Sequence, residues 1–147
     1  MNANAHAPVF GRGEIAVNAA PETVWDVMSN IAAWPSWNPD IKTATLEGDL
    51  KEGNRFRWKA GPGTITSTLK VVEPPRKLAW SGKTMGVYAI HVWEIESRGG
   101  ETYARTEESW EGLFARVFRG RSHKMLQGAI NSGLQALRSE AERREST

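Results

Sequence analysis

The sequence predicts a single α+β domain in which a curved antiparallel sheet of about six or seven strands wraps around a long C-terminal helix, with two short helices after the first strand. Three observations support this fold class. The apolar residues recur with a helical period near both ends of the chain and with a period of two through the middle. The segments between the expected strands are too short for crossover helices, so successive strands should pair antiparallel. A chain of 147 residues can bury roughly 70% of its unfolded surface without a disulfide or metal.

The expected organisation is a flexible N-terminal arm over residues 1–11 followed by one domain over residues 12–147. The absence of cysteine excludes thiol catalysis, thiolate zinc sites and iron–sulfur clusters. A net charge of +2 with interspersed signs does not indicate nucleic-acid binding. There is neither a secretory signal pattern nor an apolar stretch long enough to span a membrane, so a cytoplasmic protein is expected.

The motif search favours no cofactor and no metal. Gly11–Ala16 fits G-x-G-x-x-G/A, but it precedes a strand, whereas a dinucleotide-binding motif follows one. His6, His91 and His123 are far apart in the sequence and lack the spacing of metal ligands.

The first elements follow from local signals. A strand is expected over residues 14–18, where apolar and polar residues alternate. Pro21 suits the first position of a helix, and Glu22 supports its first turn. A second short helix is expected over residues 31–37, where prolines limit its length.

Six strands are expected in the middle of the chain, because runs with a period of two alternate with turns rich in glycine and proline. Their expected ranges are 41–47, 54–60, 63–73, 77–83, 86–97 and 101–111. Alternation places Phe56, Trp58 and Ala60 on the inner face of the sheet. By the same rule Leu69 and Val71 share a face.

A long amphipathic helix is expected from Leu113 to about Arg144. Its apolar stripe consists of Phe114, Phe118, Met125, Leu126, Ala129, Ile130, Leu134, Leu137 and Ala141. Gly120, Gly128 and Gly133 interrupt it, and each costs about 1 kcal/mol relative to alanine. Three explanations stay open: close packing on the sheet, two helices instead of one, or a helix that can bend away from something beneath it.

A strongly twisted sheet that packs against one helix leaves a cavity between them. A turn over residues 97–100 would pair Trp93 with Ala104, His91 with Thr106 and Ala89 with Glu108. This register places His91, Thr106 and Glu108 on the inner face, with His91 and Glu108 diagonal to each other.

A histidine and a carboxylate on an apolar face require partners. Three hypotheses for His91 and Glu108 stay open: they form a structural pair, they anchor a polar group of a ligand, or they act as acid and base in catalysis.

A basic cluster stands at the start of the last helix. Its members are Arg116, Arg119, Arg121, His123 and Lys124. Such a cluster is either a solvated face or a site of transient contact with an anionic membrane or an acidic head group.

Five stretches together resemble one known family. They are Ala20–Trp25, Trp34–Ile41, Val72–Trp80, His91–Ile95 and Glu108–Phe114. The chain is similar over about residues 13–142 to the polyketide cyclase/dehydrase branch of the START-like (SRPBCC) helix-grip superfamily. Trp93 and Trp110 stand where members of that family usually carry phenylalanine, and Thr106 stands where histidine is common.

The resemblance implies a helix-grip fold with a deep pocket for apolar or aromatic small molecules. The residues expected to line it are Trp37, Phe56, Trp58, Leu69, Trp80, His91, Trp93, Glu108, Trp110, Met125 and Ile130. The leading hypothesis is binding or transport of a hydrophobic small molecule such as a lipid, an isoprenoid or an aromatic polyketide. One alternative is a cyclase or dehydratase in which Glu108 and His91 move protons. The other is a co-chaperone-like module that binds a partner protein.

Overall fold

The computed structural model describes residues 1–147 as seven strands and four α-helices. The strands are β1 (Val9–Val17), β2 (Thr43–Leu46), β3 (Arg55–Lys59), β4 (Thr64–Glu73), β5 (Lys77–Thr84), β6 (Val87–Arg98) and β7 (Glu101–Glu111). The helices are α1 (Pro21–Ser29), α2 (Trp34–Trp37), α3 (Leu113–Val117) and α4 (Arg119–Glu145), and a 3₁₀ turn (Ile31–Ala33) joins α1 to α2.

All seven strands form one antiparallel sheet in the order β1-β7-β6-β5-β4-β3-β2. The long helix α4 packs against β1 and α1. Its buried side chains join the main hydrophobic core, which also takes in α1 and the inner face of the sheet. The expected helix-grip architecture is confirmed, including the two short helices after the first strand. No helix combines the length and the apolar character needed to cross a bilayer.

The first strand begins at Val9, earlier than the expected residue 14. Val9 pairs with Trp110 and is completely buried, so the last residues assigned to the flexible arm belong to the sheet. Further upstream, the backbone N–H of Asn4 donates to Ser109 Oγ at 3.1 Å. Pairing with β7 extends β1 toward the N-terminus because it buries Val9. The mostly polar composition of residues 1–11 gave no indication of this strand.

The expected register of the β6–β7 hairpin is wrong by two residues. The turn contains only Gly99 and Gly100, with φ of 55° and 86°, and Arg98 pairs with Glu101. Two consecutive residues with positive φ permit the tightest hairpin turn. A shift of two preserves the faces, so the expected inner residues stay on the inner face, but it places His91 directly opposite Glu108.

A β-bulge in β4 overturns the expectation that Leu69 and Val71 share a face. Leu69 pairs with Trp80 whereas Val71 pairs with Ala79, so one extra residue stands between them. Val72 consequently replaces Val71 against the core.

The C-terminal helical region consists of two helices, but Gly120, Gly128 and Gly133 all lie within α4, so this division does not account for the glycines. The break lies at Phe118, whose backbone angles are φ −104° and ψ 39°, and not at a glycine. The expected apolar stripe is buried at Leu126, Ile130, Leu134, Leu137 and Ala141, but Phe114, Phe118, Met125 and Ala129 are exposed. Their exposure corrects the predicted core face.

The glycines of α4 do not provide close packing. A Cβ added at Gly120 or Gly128 would meet no atom within 4 Å, and at Gly133 it would lie 4.0 Å from Asn38 Nδ2. Close packing depends instead on two glycines of β1. A Cβ at Gly11 would lie 2.9 Å from Ile130 Cδ1, and a Cβ at Gly13 would lie 2.7 Å from Leu134 Cδ1. The G-x-G pattern therefore allows α4 to approach β1.

Candidate ligand-binding cavity

A cavity of about 600 Å³ lies between the inner face of the sheet, the short helices and α4. Of its 23 lining residues, 15 are hydrophobic. Four tryptophans on the sheet, Trp58, Trp80, Trp93 and Trp110, line it from strands β3, β5, β6 and β7. Apolar cavities with few polar groups are the usual form of small-molecule sites.

The structure places most of the expected ligand-binding residues at this cavity. The residues that line it are Trp37, Trp58, Trp80, His91, Trp93, Glu108, Trp110, Met125 and Ile130. Phe56 and Leu69 do not, because both are fully buried in the core. Ligand binding by the lining residues stays a prediction.

Apart from Trp37, sequence reasoning missed one wall of the cavity, which is contributed by α1, α2 and the loop after α2. These lining residues are Met28, Trp34, Asn38, Asp40 and Ile41. Trp34 packs edge-on against Phe56 and Trp58, with 5.5 Å between ring centroids in both pairs. The sequence signal was the Trp34-Pro-Ser-Trp37 run, but nothing local showed that a four-residue helix would turn toward the sheet.

Sequence reasoning also missed part of the wall formed by α4, although Met125 and Ile130 of that helix were expected there. Gly128, Ala129, Ser132 and Gly133 line the cavity at spacings that place them along one side of the helix. Small side chains there leave space beneath the helix. The glycines are visible in the sequence, but the sequence does not show that Gly128 and Gly133 face the cavity.

The indole N–H groups around the cavity divide into paired and unpaired donors. Trp34 Nε1 donates to Met28 O at 2.9 Å, and Trp58 Nε1 donates to Ser67 Oγ at 3.0 Å. Trp110 Nε1 donates to Glu108 Oε2 at 2.7 Å. Trp37 Nε1 is buried and has no acceptor.

The protonation of His91 follows from its partner Thr106. The Thr106 hydroxyl donates to Val92 O at 2.9 Å, and its oxygen lies 2.9 Å from His91 Nε2. Because a hydroxyl has one hydrogen, Nε2–H must donate to the threonine oxygen. In the neutral imidazole, Nδ1 then carries a lone pair.

That lone pair faces the Glu108 carboxylate. Nδ1 lies 3.1 Å from Glu108 Oε1 but makes no hydrogen bond of acceptable direction. Burial lowers the pKa of His91 below its ordinary value, and the charge of Glu108 opposes that effect. Two acceptor atoms therefore stand side by side at the cavity wall, and stacking of His91 on Trp93, with 5.5 Å between centroids, holds the ring there.

Trp37 Nε1 and His91 Nδ1 are the two buried side-chain polar atoms in the protein that lack a hydrogen-bond partner. Both belong to residues that line the cavity. An unpaired buried polar group costs about 1–3 kcal/mol, so its position is informative. No group of three or more side chains suited to metal binding is present.

A curved sheet around a long helix, with an apolar cavity between them, defines a START-like ligand-binding domain. The family model described as polyketide cyclase/dehydrase and lipid transport matches residues 12–142, and the chain belongs to that family. No match is found among curated protein sequences.

Solved structures share the fold at low sequence identity. A hypothetical protein from Helicobacter pylori superposes with a TM-score of 0.84 at 16% identity, covering 96% of this chain and 97% of its own. The Zhui aromatase/cyclase from Streptomyces sp. R1128 gives 0.75 at 18% identity, with 92% and 94% coverage. A START superfamily protein from Mycobacterium smegmatis gives 0.69 at 16% identity, with 93% and 97% coverage.

Proposed function

We propose that the protein binds a hydrophobic small molecule, of the size of a lipid, an isoprenoid or an aromatic polyketide, that carries both a hydrogen-bond donor and an acceptor. The observation that carries the proposal is the pair of unpartnered polar atoms, Trp37 Nε1 and His91 Nδ1, in the wall of a largely apolar cavity. The apolar wall supplies affinity through burial, and the polar atoms supply orientation.

The two polar atoms define complementary groups on the ligand. Trp37 Nε1–H requires an acceptor, such as a carbonyl oxygen. His91 Nδ1 and Glu108 Oε1 together require a donor, such as a hydroxyl group, because both are acceptors 3.1 Å apart. A phenol or enol with a neighbouring carbonyl meets both requirements. The description of the matching family, which names polyketide cyclases, supports this ligand class.

The test compares three aromatic probes: naphthalene, 2-naphthol and 2-acetylnaphthalene. Dissociation constants come from displacement of a fluorescent apolar dye. Trp37→Phe keeps an aromatic side chain but replaces the indole with a smaller ring that has no N–H, so it should weaken 2-acetylnaphthalene about five-fold more than naphthalene, the worth of one hydrogen bond.

Trp25→Phe is the matched control, because Trp25 is buried on α1 and does not line the cavity. It should leave all three affinities unchanged. Failure of every probe to bind, or equal losses for all three in Trp37→Phe, would contradict the proposal.

A second candidate function is a cyclase or dehydratase reaction, favoured by the contact between His91 and Glu108 at the cavity wall. In that reaction Glu108 would take a proton from an activated carbon, and that proton would pass to the adjacent Nδ1 of His91 and from there to the departing oxygen. Glu108→Gln would then abolish turnover of a polyketide-like substrate while binding persists. Binding without turnover in the wild type supports the first proposal instead.

A further inference from the structure

Exposed apolar side chains are concentrated at one end of the molecule. Seven large hydrophobic residues are exposed, and six of them lie on the β5–β6 turn, on α3, at the junction between α3 and α4, or near the start of α4. These six are Met85, Leu113, Phe114, Val117, Phe118 and Met125. The most exposed are Leu113, Val117 and Met85, at 76%, 63% and 62%.

The β5–β6 turn and α3 are in direct contact, so their apolar residues form one surface. A Cβ added at Gly86, beside Met85, would lie 3.9 Å from Phe114 Cβ. The rings of Phe114 and Phe118 pack at 4.9 Å between centroids. Met125 follows two turns into α4 and also lines the cavity, so this surface reaches the rim of the cavity.

The same segment is strongly basic. No acidic residue occurs between Leu113 and Ser139, whereas Arg116, Arg119, Arg121 and Lys124 are all exposed there. No carboxylate oxygen lies within 4 Å of any of their cationic nitrogens. Arg119 Nε donates to Pro8 O at 3.0 Å, which leaves most of its guanidinium available.

We propose that the six apolar residues and four basic residues form a docking surface for an anionic lipid bilayer. Apolar side chains flanked by cations suit the boundary between acyl chains and anionic head groups. A second copy of this chain suits the surface less well, because a two-fold contact would bring the same unpaired cations together. Docking does not depend on the cavity being occupied, so this inference stands apart from the proposed function.

The experiment is flotation of the full-length protein with vesicles, without any cavity ligand. Wild type should float with vesicles of phosphatidylcholine and phosphatidylglycerol, and much less with vesicles of phosphatidylcholine alone. Arg121→Gln with Lys124→Gln should lower the partition coefficient roughly 25-fold, because each cation near an anionic surface contributes about five-fold.

A matched control removes the same charge elsewhere. Lys51 and Lys70 are exposed and lack a carboxylate partner within 4 Å, so Lys51→Gln with Lys70→Gln should leave flotation unchanged. Leu113→Ser with Val117→Ser should abolish flotation while the far-ultraviolet circular dichroism and the melting temperature remain close to those of the wild type.

Four outcomes would overturn the proposal: no flotation of wild type, equal flotation with both kinds of vesicle, equal losses in the two lysine-containing variants, or a dimer in solution that Leu113→Ser with Val117→Ser dissociates. The last would assign the surface to self-association. Binding of a fluorescent probe in the cavity is measured separately, so failure of docking leaves the proposed function intact.

Discussion

His91 Nδ1 lies 3.1 Å from Glu108 Oε1, directly across the β6–β7 pair. The other oxygen of the same carboxylate accepts a hydrogen bond from Trp110 Nε1 at 2.7 Å. Glu108 thus links a paired indole to an unpaired imidazole nitrogen at the cavity wall. Oε2 of Glu108 makes a structural hydrogen bond with Trp110, whereas Oε1 lies beside His91 Nδ1 at the wall of the proposed binding cavity.

Substitution of Glu108 should separate these two roles. Glu108→Leu leaves Trp110 Nε1–H without an acceptor and should lower the free energy of unfolding by about 1–3 kcal/mol. Glu108→Gln should be nearly neutral, because the amide oxygen can accept from Trp110 while the amide N–H donates to His91 Nδ1. Urea denaturation of both variants measures the difference. Equal losses in the two variants would mean that the charge, and not the hydrogen bonding, matters at this position.

The lowered pKa of His91 predicts a specific loss of stability in mild acid. Above its ordinary pKa of about 6.5 the imidazole is neutral in both the folded and the unfolded chain. Below that pH the unfolded chain binds a proton that the folded protein does not, so the free energy of unfolding falls until the pH reaches the folded pKa. The slope for one proton is at most about 1.4 kcal/mol per pH unit.

Urea denaturation of wild type and His91→Gln between about pH 5 and 7 checks this expectation. Glutamine does not titrate, so the variant lacks the contribution of His91 to the dependence of the free energy of unfolding on pH. The variant should show a flatter dependence. Glu14, Glu96 and Glu140 also have lowered pKa values because of their arginine partners, but they act at lower pH, with the pKa of Glu140 at about 2. Identical slopes in the two proteins would show that His91 does not titrate differently on folding.

Alternation along the strands was enough to predict much of the fold. Phe56 and Trp58 point inward, as expected from the bases that alternate with them, because a strand with a polar side and an apolar side has only one favourable orientation. The inner positions of His91, Thr106 and Glu108 follow from the same rule. The prediction of these inner positions is correct although the predicted register is not, because a shift of two residues leaves each side chain on the same face of the sheet.

Features decided by tertiary contacts could not be predicted in this way. Ser97–Gly100 offers several turns of different length, and only pairing of the full strands selects the two-residue turn. The bulge between Leu69 and Val71 leaves no local signature, because both are ordinary strand residues. Trp34 joins the cavity wall through packing on β3 and β5, which are distant in sequence.

Glycine substitutions should have opposite effects on the two sides of the contact between β1 and α4. At Gly13 a new Cβ would lie 2.7 Å from Leu134 Cδ1 and 3.1 Å from Ile130 Cγ2, and both side chains are buried. Gly13→Ala should therefore lower the free energy of unfolding by about 1–3 kcal/mol, the usual cost of overpacking. Thermal and urea denaturation measure it. An unchanged stability would show that α4 can move away from β1 without cost.

On the helix side, Gly128→Ala should stabilise the protein. A Cβ at Gly128 would meet no atom within 4 Å, so the substitution should recover up to about 1 kcal/mol of helix propensity without a clash. The same Cβ would enter the space that Gly128 lines, so the affinity for 2-naphthol should fall even as the melting temperature rises. A gain in stability with a loss in binding would indicate that the glycine is retained for the cavity.

Gly120→Ala provides the control for that interpretation, because Gly120 also has no atom within 4 Å of a new Cβ but does not line the cavity. It should leave the affinity for 2-naphthol unchanged, and any gain in stability should be smaller because Gly120 lies in the first turn of α4. If Gly128→Ala destabilises the protein, the space beside the helix is not open. If it stabilises without weakening 2-naphthol, the ligand occupies the part of the cavity nearer the sheet, beside His91 and Trp93.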